Sequence, residues 1–266
     1  MARLDAEIIR RGLAPSRARA QELIKGGQIK LDGNVCTKPS KTADESSDIV
    51  MEGEGLAYVG RGGLKLERAL ELCGISLDGC VCIDIGASTG GFTDCMLQNG
   101  AAKVYAVDVG HGQLAKKLLS DSRVVNLEGT DIRTLDSGIT AEPIDFISAD
   151  VSFISLTLIL PHIARFLRKG GTAAVLIKPQ FEAGRENIGK NGIVRSQRVH
   201  MNVLMKITEE LYKNGLSLRG LCPSPVRGGS GNVEYLAASV HSDQPPVITD
   251  IQAVVQEAFS YKQNKE

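Results

Sequence analysis

Val81-Cys82-Ile83-Asp84-Ile85-Gly86-Ala87-Ser88-Thr89-Gly90-Gly91-Phe92-Thr93 is the stretch on which the reading of the fold turns. An apolar run from residue 80 to 85 ends beside an acid, breaks into glycines, and gives way to a helical pattern. A strand that stops this way presents bare backbone to a ligand at the carboxyl edge of an α/β sheet. The spacing is G-x-x-x-G-G with Ser88 inside it, which is not the G-x-G-x-x-G of dinucleotide-binding turns. One such turn can also be simple strand-to-helix geometry, so its neighbours decide.

Asp108 ends the next apolar segment, 104–109, and lies 24 residues after Asp84, where an acid reaches both hydroxyls of a ribose. Asp131 follows a third segment, 123–127, placed to meet an adenine amino group. With Gly86, Ala87, Ser88, Thr89, Gly90, Gly91 and Phe92 between the first two acids, this pattern predicts a site for S-adenosylmethionine rather than NAD. That ligand has an amino-acid end, a sulfonium and an adenosine, and needs no pyrophosphate cradle. Asp150, just after a fourth segment at 144–149, joins the predicted cofactor set.

Further along, 156–167 reads as a helix and 172–177 as a fifth strand, and 234–240 as a late strand that can pair antiparallel. Thr249 and Gln252 form a capping-box pair before a last helix. Short apolar runs alternating with helices imply right-handed crossovers and a parallel sheet covered on both faces.

The beginning of the chain is different. Residues 1–41 hold nine basic side chains against four acidic ones, whereas 42–55 hold five acids and no base, so a formally neutral chain has a basic head. Asp5 is placed to cap a helix reaching Arg11, Ser16 to cap a second that stops at Gly26-Gly27, and 28–31 to form a strand before an Asp32-Gly33 hairpin turn. Arg3, Arg10, Arg11, Arg17, Arg19 and Lys25 are the candidate RNA-binding residues; on an anonymous helix pair the same charges read as a solvated face.

Composition excludes several classes. With 42% hydrophobic and 23% charged residues the chain can pack a core. The chain start lacks the apolar region of a signal peptide, and no run approaches the ~18 apolar residues of a membrane span. The six cysteines lack zinc spacing and read as reduced core thiols, with no metal site expected. These features predict a cytoplasmic protein.

Two resemblances sharpen the reading. Ser16-Arg17, Ala20, Leu23-Ile24, Gly27, Ile29 and Asp32-Gly33 resemble the alpha-L RNA-binding module of a small-subunit ribosomal protein, pseudouridine synthases and tyrosyl-tRNA synthetases. Arg61-Gly62-Gly63-Leu64-Lys65-Leu66, 84–94, Ala149-Asp150-Val151-Ser152-Phe153-Ile154-Ser155, Lys178-Pro179-Gln180-Phe181-Glu182 and Gly231-Asn232-Val233-Glu234-Tyr235 occur in the order seen in the TlyA family. Those proteins are relatives of the FtsJ-type ribose 2′-O-methyltransferases, and the resemblance spans nearly the whole chain. It departs at Tyr58, where some members have Trp, and at Ser196, where an acid is common.

The resemblance implies an α/β Rossmann-like methyltransferase sheet with helices on both faces, preceded by a small α+β RNA-binding domain. The expected division is 1–56 for the RNA-binding domain with its acidic connector, 57–63 for a linker, and 64–266 for the catalytic domain. It further implies a Lys65, Asp150, Lys178 and Glu234 tetrad and cytidine 2′-O-methylation of ribosomal RNA, in the large subunit and for one subtype the small subunit too. Taken singly, each tetrad residue also reads as a surface charge or a structural ion pair. Chemically, a ribose hydroxyl is a poor nucleophile at neutral pH and needs alignment and help with its proton, which a lysine held by burial and neighbouring charge can give. Lys178 is expected nearest the hydroxyl, with Lys65 and Asp150 setting its state and Glu234 organising the site. Phe153 is expected either in the transfer pocket or in the core. The segments 182–195 and 223–231 are expected as rim loops, the first of them free to close over RNA or simply mobile.

The expected partners are ribosomal RNA or ribosomal subunits; no protein partner is deducible. Two rival readings are a binding-only ribosome-assembly factor and a pore-forming haemolysin. The four site residues and the glycine loop weigh against the first, and the lack of a span, a secretion signal or a strongly amphipathic basic helix against the second.

Overall fold

The computed structural model describes residues 2–14, 17–51 and 57–260, apart from the side chains of Ala18, Arg19, Glu22 and Ser137. The expected cap at Ser16, the Arg19 side chain and the acids Glu52 and Glu54 lie outside the described part. Contacts divide the chain into two compact units that meet in sequence at Gly55 and Leu56.

In the first unit, β1 (Ala2–Arg3) pairs with β4 (Thr42–Ala43), and β3 (Asn34–Val35), β2 (Ile29–Leu31) and β5 (Ile49–Met51) form a three-stranded antiparallel sheet. The helices α1 (Leu4–Arg10) and α2 (Arg17–Lys25) bury Leu4, Ile8, Ala20, Leu23 and Ile24 against Ile29 and Leu31. Asp32 and Gly33 both have positive φ, 52° and 79°, the backbone of a two-residue hairpin turn whose twist matches the strands. Asp5 differs from expectation. It lies inside the first turn of α1 rather than capping it, fully buried, and its carboxylate accepts from Arg3, Arg17 and Gln21. The pull of three nearby donors outweighs a local cap.

The second unit is a seven-stranded sheet in the order β11 (Leu216–Pro223), β12 (Tyr235–His241), β10 (Leu167–Ile177), β9 (Ile144–Ala149), β6 (Val81–Ile85), β7 (Lys103–Asp108), β8 (Val124–Glu128). The strands β10, β9, β6, β7 and β8 run parallel; β12 is antiparallel to both of its neighbours. Both faces are covered, so the inner strands are apolar on both sides. Ile83, Ile85, Ile147, Val175 and Ile177 pack on the face carrying Leu204, Ile207 and Leu211 of α8 (Gln197–Lys213) and Val254 and Val255 of α9 (Ile251–Ser260). Cys82, Val104, Phe146 and Leu176 pack on Leu66 and Leu70 of α3 (Gly62–Cys73), Phe92 and Met96 of α4 (Gly91–Gln98) and Leu118 of α5 (Lys116–Leu119).

The order of strands reverses between β6 and β9, which opens a crevice at their carboxyl ends. There Asp150 donates its backbone N–H to the Ile85 carbonyl, and Gly86 donates to that of Val107. The expected helix at 156–167 divides into a short 3-10 turn at Leu156–Leu158 and α6 (Leu160–Phe166), with Pro161 in the first turn of the helix. The cap of α9 falls on Asp250, whose carboxylate accepts from Ala253 N, and not on Thr249. The six cysteines are free, four of them buried. No helix among the described residues is long and apolar enough to cross a membrane.

Candidate active site

The glycine-rich loop follows β6, and its closeness to the neighbouring strand end explains its composition. Gly86 has φ 83°, and a Cβ there would lie 2.5 Å from the Asp150 carbonyl oxygen. The segment before α3 is packed as tightly: a Cβ on Gly63 would meet the Tyr58 ring at 2.2 Å, and one on Gly91 would lie 3.1 Å from Gly63 N. The Arg61-Gly62-Gly63 run therefore lets α3 approach the cofactor loop and carries Lys65 to the rim.

Within the loop, Gly86, Ser88 and Thr89 face outward, whereas Ala87, Gly90, Gly91 and Phe92 lie beneath. Asp84 is fully buried; it accepts from Thr93 Oγ1 at 2.7 Å and from Ser148 Oγ at 2.8 Å. Burial pushes its carboxyl up to about 6 against those two hydroxyls. Asp108 accepts from Ser88 N and Gly110 N, each at 2.7 Å, and a carboxylate so engaged retains lone pairs for a diol. Asp131 accepts from Arg133, with Nη2 at 2.6 Å from Oδ2. One acid escaped the sequence reading: Glu128 at the end of β8 accepts from the N–H groups of Gln113 and Leu114 and so shapes the loop after β7. The Asn126 amide and those N–H groups hold it down at about 2.

The four candidate catalytic residues come together as two ion pairs. Lys65 Nζ donates to Glu234 Oε2 at 2.7 Å; these residues are 169 positions apart in the chain. Lys178 Nζ lies 2.5 Å from Asp150 Oδ1 and donates to Ser152 Oγ at 2.9 Å. The Lys178–Asp150 contact is a close charge pair without hydrogen-bond alignment, since Oδ1 has no directed donor among the described residues. Gln180, on the turn α7 (Pro179–Glu182), donates to Glu234 Oε1 at 3.2 Å and joins the lysine-bearing turn to the other pair.

Phe153 is 91% exposed, which excludes the core alternative. It has φ 63°, a conformation unfavourable for a bulky residue, and its ring sits 5.0 Å from that of Phe181. The rim loop 182–195 is pinned at its later half, because the Asn232 side chain accepts from Val194 N and donates to the Gly192 carbonyl. Asn232, Glu182, Gln180 and Ser152 are among the residues of the quoted motifs whose work the sequence alone did not reveal; Arg227 spends one N–H on the Gly231 carbonyl.

The donor set fits S-adenosylmethionine. Exposed hydroxyls stand at Ser88 and Thr89 on the loop, and an acid ends β7 with the exposed apolar Val109 next to it.

Residues 58–240 match the family described as FtsJ-like methyltransferase, and residues 2–50 match the S4 domain. YqxC of Bacillus subtilis, provisionally an rRNA methyltransferase, is 47% identical over 88% of this chain and 84% of its own length. The 16S/23S rRNA (cytidine-2′-O)-methyltransferase TlyA of Mycobacterium tuberculosis is 41% identical over 88% of both. The solved structure of a provisional hemolysin from Streptococcus thermophilus matches with a TM-score of 0.79 at 46% identity, covering 97% of this chain and 95% of that one.

Proposed function

The chain belongs to the FtsJ-like methyltransferases, with an S4 domain ahead of the catalytic fold, and from that premise we propose that it methylates a cytidine ribose 2′-hydroxyl in ribosomal RNA. The observation that carries this reading is the double engagement of Asp150. Its carbonyl closes on Gly86 in the cofactor loop, and its carboxylate pairs with Lys178. One residue thus registers the methyl-donor site against the lysine that meets the acceptor.

Bound at the loop, S-adenosylmethionine supplies an electrophilic methyl on a sulfonium. Ser152 and Asp150 hold the Lys178 amine where it orients the hydroxyl for in-line attack. Lys178 Nζ would take up the hydroxyl proton while passing one of its own to the Asp150 carboxylate beside it. Lys65, paired with Glu234, contributes a second cation near the developing charge. The S4 unit supplies RNA affinity through exposed Arg3, Arg10, Arg17 and Lys25. Large-subunit RNA is the first substrate, and the small subunit the second to be tried.

Methyl-labelled S-adenosylmethionine incubated with separated, unmodified ribosomal subunits tests the proposal. The expected result is label at a cytidine 2′-oxygen, abolished by Lys178→Ala. Absence of label on both subunits and on naked rRNA, with cofactor binding demonstrated, would overturn it.

A further inference from the structure

Glu234 is only 3% exposed, and its carboxylate is confined on three sides. Lys65 Nζ occupies Oε2, Gln180 Nε2 occupies Oε1, and the Gly228 backbone is so close that a Cβ there would lie 2.4 Å from Oε1. The orientation of the Gln180 amide follows from the acid, because the flipped amide would set two oxygens against each other. In that orientation Gln180 Oε1 is buried without a partner among the described residues. A buried acceptor left without a donor carries a desolvation cost that an apolar side chain of the same length would avoid. Against that cost stands one polar contact, the bond to Glu234.

We infer that Gln180 is a positioning residue: acting through Glu234, it fixes the Lys65 ammonium at the methyl-transfer rim. A neutral donor suits this place. An arginine or lysine would add a third cation beside Lys65 and Lys178, and a carboxylate would repel Glu234. Gln180 also shares its short turn with Lys178, so displacement of that turn reaches both ion pairs together. The assignment of a rate effect rests on the proposed methyl transfer; the effect on Lys65 does not.

The test uses the full chain with Gln180→Met, which keeps length and removes the amide, and Gln180→Glu, which opposes Glu234. The Lys65 ammonium is buried and hydrogen-bonded, so it is expected to give a slowly exchanging 1H–15N signal, assigned by its loss in Lys65→Arg. That signal is expected to broaden or vanish in both variants. Single-turnover methylation is expected to slow about tenfold in Gln180→Met, with cofactor Kd and RNA KM within about twofold of the parent. A Lys65 signal unchanged in both variants overturns the inference, whatever the rate does. If the parent methylates no rRNA while the signal is lost in the variants, the positioning role stands and the proposed substrate fails.

Discussion

Glu182 accepts a hydrogen bond from Ser155 Oγ at 2.6 Å, and its other oxygen accepts from Leu156 N at 2.7 Å. The two partners belong to the segment that carries Asp150, Ser152 and Phe153, while Glu182 closes the turn that carries Lys178. A single buried carboxylate therefore fastens the loop after β9 to the loop after β10. It also holds the end of a segment in which Phe153 adopts a left-handed backbone while remaining exposed.

Removing that fastening is expected to act on geometry more than on cofactor affinity. Glu182→Ala leaves the Leu156 N–H without its partner, a loss of about 1–3 kcal/mol. Lys178 and Asp150 then lose their common reference, and displacements near 1 Å can cost about a hundredfold in rate. Single-turnover rates should fall at least tenfold, with S-adenosylmethionine binding by calorimetry changed by less than about threefold. A Glu182→Ala protein with parental turnover would show that the two loops are held independently.

Asp84 predicts a pH dependence of stability. Its folded value, about 6, lies above the ordinary carboxyl range because burial disfavours the charge. Between about 4 and 6 the folded chain binds a proton that the unfolded chain has released, so this residue's contribution falls as pH rises through that window. The contribution is fully present below the window and lost above it. Asp84→Asn should flatten that part of the pH profile of urea midpoints, although Thr93 and Ser148 must then reorient around an amide. An unchanged slope between pH 4 and 6 would mean that Asp84 is not the group responsible.

The parts legible in the sequence are those fixed by period and by local backbone. The stretch from Val81 to Thr93 announced its strand, loop and helix because burial on both sheet faces demands a continuous apolar run, and Gly86 stands where no Cβ fits. The Asp32-Gly33 turn was equally plain. The strand β11 was missed: Leu216-Ser217-Leu218-Arg219-Gly220-Leu221-Cys222-Pro223 includes a Gly, a Pro and a register shift between Leu218 and Gly220, which blur a period of two. Bonds that side chains make to distant backbone leave no pattern at all. Glu128 to Gln113, Glu182 to Leu156 and Asn232 to Val194 are of that kind. The tetrad came from motif order, but its division into Lys65–Glu234 and Lys178–Asp150 pairs needed the three-dimensional arrangement.

The basic head carries its own acid sensitivity. The Arg3 guanidinium, with Gln21 and Arg17 beside it, holds the buried Asp5 carboxyl well below the usual range, and Arg10 and Arg11 hold Glu7 at about 2. Both folded values are depressed, so the stability they contribute is present above the unfolded values, near 4, and is lost as pH falls toward 2. Asp5→Asn should remove part of that acid limb and free Arg3 and Arg17. Its RNA affinity should rise, because a negative charge beside two cations is lost, and Arg17→Ala should reduce the slope of log affinity against log salt by about 1. Filter binding of an rRNA fragment across salt concentrations reads both, and a slope unaltered by Arg17→Ala would place this side chain off the RNA path.

Gly86→Ala isolates the junction on which the proposed chemistry depends. The new methyl would have to occupy space 2.5 Å from the Asp150 carbonyl oxygen and 3.0 Å from its carbonyl carbon, distances that require the backbone to move. The positive φ of 83° adds strain for any residue with a Cβ, so stability should fall by more than about 1 kcal/mol. If the strand ends separate to relieve the contact, the cofactor loop moves away from Asp150 and the Lys178 amine moves with the latter. Both consequences are measurable in one protein: weaker S-adenosylmethionine binding by calorimetry, and a further loss in single-turnover rate at saturating cofactor. A fall in affinity alone, with the saturated rate intact, would mean that Asp150 serves the two sites separately and that the registry between donor and acceptor is set elsewhere.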